Sequence, residues 1–358
     1  MSLDKIRKKI DAIDAKVLSL LNDRSRASKE IGHLKMKDGQ GIYAPHREKQ
    51  VLDRLKAMNK KGPLTNDAID AIYREIMSFS ISLEKKVKIA YLGPPVTYTH
   101  QAAQKKFGSS VDYEPCTTIT DVFTEVEQGR ADYGVVPVEN STEGAVNHTL
   151  DMFIDSGLKI YGEIFLSIHH YLLSRNVPLK DITQVYSKDQ VFGQCRVWIE
   201  SHLHGVDLLP TNSTAEAAQF VANDTNQAGI ACIASKIAAE VYKLKIIASS
   251  IEDNSNNTTR FLIISRAEAK PTSADKTSVV FEIKDRSGAL HDILVPFKRS
   301  KINLTKIESR PSKKKAWSYF FFVDFEGHHN DAKIKKALTN LEKHCTFLKV
   351  LGSYPKAE

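Results

Sequence analysis

The chain of 358 residues is longer than one ordinary hydrophobic core supports, so its length predicts two or three domains. Its four cysteines, Cys116, Cys195, Cys232 and Cys345, show no C-x-x-C spacing. This pattern argues against a disulfide framework or a zinc site and favours a reducing compartment. No apolar run approaches the roughly 20 residues that a membrane span needs, and the chain begins directly on a charged amphipathic pattern. We therefore expect a cytoplasmic protein without a membrane partner.

The excess positive charge lies entirely in the N-terminal quarter. The formal net charge is +8, and residues 1–88 hold 20 lysines and arginines against 12 aspartates and glutamates, whereas the other 270 residues hold 31 of each. A nucleic-acid partner, a small polyanionic ligand or a solvated helix surface would each account for this excess. The charge alone leaves these three interpretations open.

Residues 3–84 predict three helices. Apolar residues recur close to a 3.6-residue period over residues 3–37 without a proline, which predicts one helix of about 50 Å ending at residues 38–41. Pro45 is placed to open a second helix, and Thr65 is placed to cap a third that runs to Glu84. Because three helices of this kind bury little apolar surface alone, we expect an intertwined dimer in which the long helices pack across a two-fold axis.

A set of polar residues recurs on these helices. Arg24 and Lys35 are eleven residues apart, which is close to three helical turns, so they lie on one face, and Arg7 falls within about 70° of it. Each charge taken singly would be an ordinary solvated surface group. The full set is Arg7, Arg24, Lys35, Arg47, Glu48, Ser80 and Glu84.

This set resembles the all-helical chorismate mutase family over residues 3–85. The resemblance implies a pocket in which Arg24, Arg47 and Arg7 of the partner subunit hold the two carboxylates of chorismate. Mutase chemistry is a rearrangement without covalent help, so it needs a compact substrate conformer and fixed donors at the breaking ether oxygen. Cations on rigid helices meet both needs.

The same resemblance implies roles for the remaining residues of the set. Lys35 and Glu84 would face the ether oxygen, where a protonated Glu84 would serve as a hydrogen-bond donor, and Ser80 and Glu48 would help to orient the ring. The chain departs from the family at two positions. Ala44 stands where an acidic residue is often found, and Glu84 stands where some members have glutamine.

Beyond residue 86, short apolar runs alternate with helical patterns, as is typical of an α/β domain. The predicted strands are residues 87–92, 111–115, 134–138, 183–186, 229–234, 246–249 and 261–265. The strand at 134–138 leads into N-S-T-E-G, from Asn140 to Gly144, at the strand's carboxyl end, where open α/β sheets bind ligands. The same five residues could instead form an ordinary turn followed by a helix N-cap.

Four stretches resemble prephenate dehydratase. They begin at Gly93 (G-P-P-V-T-Y-T-H-Q-A-A), Val136 (V-P-V-E-N-S-T-E-G-A-V-N), Ser213 (S-T-A-E-A) and Ile251 (I-E-D-N-S-N-N-T-T-R-F). The resemblance implies an α/β domain like a periplasmic binding protein, with two subdomains around a cleft and a chain that crosses between them twice. Val96 departs from the family's usual glycine, and Lys188 and Asp189 replace a frequent His-Pro pair.

Prephenate loses its ring hydroxyl as water and its ring carboxylate as carbon dioxide, so the enzyme must position two anions and donate to the departing hydroxyl. The resemblance makes Thr259 the candidate donor, although a hydroxyl is too weak an acid to be the ultimate proton source. Arg260 is predicted to bind a carboxylate bidentately. Asn140, Ser141 and Gly144 are predicted to line the facing loop.

Ser213 and Thr214 are predicted to present a helix N-terminus to the second carboxylate of prephenate. They could equally be a plain N-cap. Phe261 completes the predicted substrate-binding set, and its alternative role is that of a core residue.

Residues 270–276 are typical of a linker, and the pattern that follows is βαββαβ, the ferredoxin-like arrangement. Its elements are predicted at residues 278–283, 289–298, 303–309, 317–325, 332–344 and 347–352. G-A-L-H-D-I-L at Gly288 and E-S-R-P at Glu308 resemble the phenylalanine-binding motifs of ACT domains, although G-A-L alone is more often a helix-packing feature. The implied phenylalanine site comprises Gly288, Ala289, Leu290, Asn303, Glu308, Ser309, Arg310 and Pro311.

The leading hypothesis combines these resemblances. An all-α chorismate mutase domain (1–86), an α/β dehydratase domain (87–268) and an α+β ACT domain (277–355) would convert chorismate to prephenate and then to phenylpyruvate under phenylalanine feedback. This hypothesis requires no cofactor, metal or nucleic acid, and it requires at least a dimer.

Two alternatives remain. The helical part could be only a dimerisation module of a dehydratase. The chain could also be a transcription regulator with a basic helical module before an effector domain, but that reading needs the short helices of a helix-turn-helix.

Overall fold

The computed structural model of the protein describes residues 2–37, 43–224, 229–272, 274–283, 286–312 and 318–357. The chain forms two compact units. The first comprises Met1–Lys88 and Lys106–Asp112, and the second comprises Ile89–Lys105 and Tyr113–Glu358. The predicted end of the first helix, at residues 38–41, lies outside the described residues.

The first unit is helical, as predicted. It contains α1 (Leu3–Lys37), α2 (Pro45–Met58) and α3 (Asn66–Glu84). Pro45 occupies the first turn of α2, and the Thr65 side chain caps α3 by accepting a hydrogen bond from the Ala68 amide at 3.2 Å. The 35 residues of α1 confirm the long helix and make the helix-turn-helix reading wrong.

One face of α1 is apolar and exposed. Seven aliphatic side chains of its first five turns are between 42% and 67% exposed: Leu3, Ile6, Ile10, Ile13, Val17, Leu18 and Leu20. Hydrophobic groups of this size are normally covered in a stable fold. Within the described residues, no helix combines the length and the apolar character that crossing a membrane requires.

The second unit contains a first sheet in the order β2-β1-β3-β11-β5, with β4 paired to β3. Its strands are β1 (Lys88–Leu92), β2 (Asp112–Cys116), β3 (Tyr133–Asn140), β4 (Gly144–Ala145), β5 (Lys159–Ser167) and β11 (Thr258–Ser265). The helices α4 (Tyr98–Phe107), α5 (Ile119–Glu127) and α6 (Asn147–Asp155) lie between these strands in the chain. Within this sheet, β3 and β11 are antiparallel, with Asn140 opposite Thr259 and Glu139 opposite Arg260.

A second sheet has the order β10-β6-β9-β7-β8. Its strands are β6 (Tyr171–Ser174), β7 (Gln184–Lys188), β8 (Asp207–Thr211), β9 (Ile230–Ala234) and β10 (Lys245–Ala248), with helices α7 (Asp189–Gln194), α8 (Arg196–His202), α9 (Thr214–Asn223) and α10 (Lys236–Tyr242). The chain leaves the first sheet after β5 and returns to it at β11. This path confirms the predicted pair of subdomains joined by two crossings.

The sequence prediction omitted β4, β5, β6 and β8. Strands β4 and β6 have only two and four residues, which is too short for a periodic signal. Strands β5 and β8 lie at the edges of their sheets, and β8 carries a proline, which is tolerated at an edge.

The C-terminal part is the predicted βαββαβ fold. Its elements are β12 (Asp275–Ile283), α11 (Ala289–Arg299), β13 (Leu304–Pro311), β14 (Tyr319–Glu326), α12 (Ala332–Glu342) and β15 (Cys345–Pro355). The strands form an antiparallel sheet in the order β13-β14-β12-β15. Strand β12 begins at Asp275, so the predicted linker at 270–276 is shorter than expected.

The C-terminal sheet packs on the first sheet and shares its core. Val280, Phe322 and Leu351 belong to the same buried cluster as Val138 and Leu262 of β3 and β11. Strand β15 approaches β5 so closely that a Cβ atom at residue 352, a glycine, would lie 2.2 Å from the carbonyl oxygen of residue 160. Glycine is therefore required at this contact, because no larger residue leaves the two backbones room.

Candidate active sites

A cleft of about 1300 Å³ lies between the two sheets of the second unit. The carboxyl ends of β1, β3, β7 and β8 contribute to or adjoin its walls, where ligands bind in open α/β sheets. Its lining includes Asn140, Gly144, Ser213, Thr214, Thr259 and Phe261. The structure therefore brings six of the eight predicted prephenate-binding residues together in one cavity.

Asn140 organises one wall of the cleft. Its Oδ1 accepts hydrogen bonds from the Thr142 amide (3.0 Å), the Thr142 hydroxyl (2.6 Å) and the Glu143 amide (3.2 Å), which closes the turn after β3. Its Nδ2 donates to Asn257 Oδ1 at 2.7 Å and to Thr259 Oγ1 at 2.8 Å. The N-S-T-E-G segment thus forms an Asx-type turn and is also part of the cleft wall. The two interpretations of this segment, as a turn and as a ligand-binding loop, are therefore compatible.

These hydrogen bonds fix the direction of the Thr259 proton. Two backbone amides identify Oδ1 of Asn140 as the acceptor, so the atom facing Thr259 is the amide nitrogen. Thr259 Oγ1 therefore accepts from Asn140 and keeps its own hydrogen for another acceptor. Because Thr259 lines the cleft, a bound molecule can be that acceptor.

Ser141 has a different environment from the one predicted. Its hydroxyl donates to the Asn256 carbonyl at 3.3 Å and accepts from the Thr258 amide at 2.9 Å, and Ser141 is not among the described cleft-lining residues. It fastens the loop after β3 to the start of β11. The prediction that Ser141 lines the cleft is corrected accordingly.

The helix N-terminus at the cleft carries both features expected of it. Ser213 is the N-cap of α9, and its hydroxyl accepts from the Glu216 amide at 3.1 Å. Ser213 and Thr214 also line the cleft. Capping and cleft lining therefore coincide, and the positive end of a ten-residue helix faces the cavity.

Two departures from the pattern of the resembled family lie at the cleft or next to a residue that lines it. Val96 is buried and has a φ of 72°, a left-handed conformation that glycine adopts freely and a β-branched residue adopts rarely. This conformation explains why glycine is usual at that position. Lys188 lines the cleft at the end of β7.

Sequence reasoning missed four polar residues connected to the cleft: Tyr98, His170, Gln194 and Asn257. Gln194 Oε1 contacts His170 Nε2 at 2.8 Å and accepts from Asn257 Nδ2 at 3.4 Å, while Tyr98 Oη contacts His170 Nδ1 at 3.1 Å. Burial lowers the pKa of His170 below its ordinary value. Asn257 lies two residues before Thr259, so strand alternation could have identified it.

The first unit brings together part of the predicted helical pocket. Arg24 Nη1 donates to the Ser80 hydroxyl, which in turn donates to the Ile76 carbonyl at 2.7 Å. Lys35 Nζ and Glu84 Oε2 form an ion pair of 3.0 Å, in which the Glu84 side chain is 7% exposed. Burial lowers the pKa of the Arg24 guanidinium from its ordinary value. These four residues link α1 to α3.

The remaining members of the helical set lie elsewhere on the unit. Arg47 Nη1 donates to Gln50 Oε1 at 3.5 Å, and Glu48 pairs with Lys106 at 3.3 Å. Arg7 is exposed on α1.

Comparisons with known proteins identify the families of all three parts of the chain. The chorismate mutase type II family matches residues 6–85, the prephenate dehydratase family matches residues 89–269, and the ACT domain family matches residues 277–343. A bifunctional chorismate mutase/prephenate dehydratase of Aquifex aeolicus is 50% identical over 99% of this chain and 98% of its own length. The chain belongs to the bifunctional chorismate mutase/prephenate dehydratase family. It is therefore a chorismate mutase and a prephenate dehydratase with an ACT domain.

Two further relatives support the same conclusion. The bifunctional enzyme of Pseudomonas aeruginosa is 45% identical over 99% of this chain and 98% of its own. The prephenate dehydratase of Arthrobacter aurescens, solved in complex with L-Phe, is 36% identical with a TM-score of 0.70, covering 76% of this chain and 90% of that one. The predicted fold class, of helical mutase, α/β dehydratase and ferredoxin-like ACT parts, is confirmed.

Arg260 does not line the dehydratase cleft, which corrects the prediction that it binds a substrate carboxylate there. Successive side chains of a strand point to opposite faces, so Thr259 faces the cleft and Arg260 faces the ACT domain. Arg260 Nη1 pairs with Asp324 at 2.6 Å, Nε pairs with Glu163 at 2.8 Å, and Nη2 donates to the Tyr354 hydroxyl at 2.9 Å.

The cluster around Arg260 is buried and charge-compensated. The side chains of Arg260, Asp324 and Glu163 are 7%, 9% and 0% exposed, and Lys276 Nζ also contacts Glu163 at 2.8 Å. Burial acts to lower the pKa of Arg260, but Tyr354 and the two carboxylates outweigh it and raise that pKa. Arg260 is therefore a fixed cation that holds β11 to the ACT sheet.

Two further ion pairs join the same surfaces. Lys306 of β13 contacts Glu139 of β3 at 2.8 Å. Arg310, predicted to bind phenylalanine, is bidentate to Asp151 of α6 at 2.9 Å, and its side chain is 11% exposed. Arg310 thus contacts the dehydratase domain from the ACT domain.

The other predicted phenylalanine-site residues lie on two ACT elements. Gly288 has a φ of 77° at the start of α11, followed by buried Ala289 and half-exposed Leu290. Asn303, Glu308, Ser309 and Pro311 lie at or on the edge strand β13.

We expect the variant Arg260→Met to be strongly destabilised, because it leaves Asp324 and part of the charge of Glu163 buried without their partner. The expected loss is about 3–5 kcal/mol of unfolding free energy, measured by calorimetry. The double variant Arg260→Met/Asp324→Asn should lose less unfolding free energy than the sum of the two single-variant losses, by at least about 0.5 kcal/mol.

The matched control is Arg196→Met, which removes an exposed pair with Glu200 on α8 and should leave stability nearly unchanged. An Arg260→Met protein with wild-type stability and a raised KM for prephenate would instead support the original carboxylate-binding role.

Proposed function

We propose that this chain catalyses two consecutive steps of phenylalanine biosynthesis in the cytoplasm, as a homodimer under phenylalanine feedback. Chorismate rearranges to prephenate in the helical domain (1–86), and prephenate loses water and carbon dioxide to give phenylpyruvate in the dehydratase domain (87–268). The ACT domain (277–355) supplies the regulation. The observation that carries the dehydratase assignment is the hydrogen bond from Asn140 to Thr259, which leaves the threonine proton available to the cleft.

The proposed mutase site uses preset positive charge. Arg24, oriented by Ser80, and Lys35, paired with Glu84, lie on rigid helices and need little reorganisation when the substrate enters. Arg24 and Arg47 would hold the carboxylates of chorismate. Lys35 would stabilise the charge that grows on the ether oxygen, and Glu84 would hold Lys35 in place through their ion pair. Glu48 would orient the ring.

The exposed apolar face of α1 supports a dimer. A second copy of α1 crossing this face would cover the seven exposed aliphatic side chains of its first half. Arg7 is on the same half of the helix and exposed, so such a crossing would carry it toward another subunit. We propose that each mutase site contains Arg7 of the partner subunit.

Hybrid dimers test this arrangement. Arg7→Ala and Arg24→Ala proteins should each have little mutase activity, but a refolded equimolar mixture should recover about a quarter of the wild-type rate. The reason is statistical: half of the dimers are hybrids, and each hybrid has one site with both arginines and one with neither. Prephenate formation from chorismate is the measurement.

The control is a mixture of Arg24→Ala with Arg24→Ala/Arg7→Ala, in which no intact site can form. No recovery in the equimolar mixture would contradict the contribution of Arg7 across the dimer. A wild-type protein that does not consume chorismate would leave the helical domain as a dimerisation module only.

The proposed dehydratase step follows from the cleft geometry. The ring hydroxyl of prephenate takes up one proton from solvent and leaves as water while its ring carboxylate leaves as carbon dioxide, and the electron pair of the breaking C–C bond forms the aromatic ring. Thr259 donates a hydrogen bond to the departing hydroxyl oxygen, since its own oxygen already accepts from Asn140. The N-terminus of α9 at Ser213 and Thr214 faces a substrate carboxylate. Phe261 and Gly144 shape the remaining wall.

We expect Thr259→Ala to lower phenylpyruvate formation by about 100-fold or more, within the range for loss of a positioned proton donor. Chorismate should still be consumed, so prephenate should accumulate in an assay that follows both products. Thr258→Ala is the matched control, because Thr258 precedes Thr259 on β11 and is not among the described cleft residues. Full dehydratase turnover in Thr259→Ala would contradict the assignment.

The proposed feedback acts through the side of the dehydratase domain that contacts the ACT domain, opposite the cleft. Phenylalanine would bind near Gly288 and the motif from Glu308 to Pro311, between two ACT domains, and favour a less active arrangement by differential affinity. The ion pairs of Arg310 with Asp151 and of Lys306 with Glu139 offer a direct physical path from β13 to the dehydratase. The relative solved with L-Phe supports this choice of effector.

Gly288→Trp should abolish phenylalanine binding in calorimetry and remove inhibition, with uninhibited dehydratase turnover retained. No atom lies within 4 Å of a Cβ placed there, so the indole can occupy the space in front of the helix N-terminus. Gly205→Trp is the matched control: its glycine has a φ of 70°, similarly open surroundings and a position outside the ACT domain. Unchanged phenylalanine binding in Gly288→Trp would rule out this site.

A further inference from the structure

The charge of the dehydratase cleft does not match its substrate if only the predicted residues are considered. Prephenate carries two carboxylates, whereas Arg260, the predicted anchor, is turned toward Asp324 and Glu163 on the opposite face of β11. The other predicted residues of the cleft are uncharged. A dianion in a cavity without a formal positive charge would depend on hydrogen bonds and a helix dipole alone.

Lys188 supplies the missing charge. It is the single lysine or arginine among the described residues that line the cleft. Its ammonium group forms no ion pair within the described part of the chain, although Glu143 and Glu216 line the same cavity. Glu216 is instead bonded to the Asn212 amide at 3.0 Å, and Glu143 to Gln194 at 3.2 Å.

The sheet register places Lys188 beside the helix N-terminus at the cleft. Strands β7 and β8 are parallel neighbours, and Lys188 is paired with Thr211. Two residues later, Ser213 and Thr214 begin α9 and line the cleft. Because neighbouring strands lie about 4.8 Å apart, a flexible four-carbon lysine stem can bring its charge to the front of that helix.

We propose that Lys188 binds a carboxylate of prephenate together with the N-terminus of α9. This role rests on the dehydratase function proposed above and adds to it the ionic contact that Arg260 does not make. Lysine binds a carboxylate as a mobile point charge, so it can follow the substrate as the two subdomains adjust around the cleft. The alternative is that Lys188 is an ordinary exposed surface lysine whose charge does not contribute to substrate binding.

Steady-state kinetics with prephenate separate these readings. Lys188→Gln should raise KM by about 10- to 100-fold, the effect of losing a charge-assisted hydrogen bond, while kcat changes by less than about 3-fold. Lys188→Arg, which keeps the charge, should retain a KM within about 5-fold of wild type. The KM of the wild type should also rise with salt more steeply than that of Lys188→Gln.

Two controls accompany the test. Lys236→Gln removes another exposed lysine, at the start of α10, that is not among the described cleft residues, and it should leave KM unchanged. Calorimetric unfolding of each variant reports whether the unit that contains Lys188 is folded. An unchanged KM in Lys188→Gln with an active wild type would overturn the role of Lys188 alone. A wild-type chain that forms no phenylpyruvate would overturn both this role and the dehydratase function.

Discussion

The alternation of side chains along β3 and β11 is the constraint on which the dehydratase part depends. Asn140 and Thr259 are directly opposed in the ladder and face the cleft, while their neighbours Glu139 and Arg260 are also opposed and face the ACT sheet. Each cleft residue is thus adjacent in the chain to a residue that pairs with the ACT domain. A slip of one position would exchange the two sets, so the cleft wall and the contact with the ACT sheet depend on one strand register.

Buried ion pairs hold the register of β3 and β11 in place. Arg260 is compensated by Asp324 and Glu163, and these charges are almost completely removed from solvent. A desolvated ion pair tolerates little displacement, because moving one partner leaves the other uncompensated in a low-dielectric environment. The ion pairs therefore fix the position of the ACT sheet relative to β11. The shared core and the close approach of Gly352 to β5 also hold the ACT sheet against the first sheet.

The helical part places its charged and its apolar residues in different environments. Its charged residues are positioned by helix geometry, and Lys35 and Glu84 form an ion pair that links α1 to α3. Many of its apolar residues are exposed, because the described part of the chain does not cover the aliphatic side chains of α1. The mutase part therefore combines well-positioned charges with an apolar surface that the described part of the chain leaves exposed.

Periodicity and local chemistry in the sequence predicted the helices, most strands and the ACT topology, and the resemblance of its motifs to known families implied the two activities. The long helix followed from an uninterrupted 3.6-residue pattern, and the cleft position of Asn140 followed from a polar loop at a strand end. The cleft position of Thr259 followed from the resemblance to prephenate dehydratase. The direction of Arg260 could not be predicted, because adjacent motif residues suggest a common site whereas a strand sends them to opposite faces. Its partners Asp324 and Tyr354 are 64 and 94 residues away in the chain. Only the tertiary structure brings them together, since packing of the ACT sheet decides which face of β11 is buried against protein and which faces the cleft.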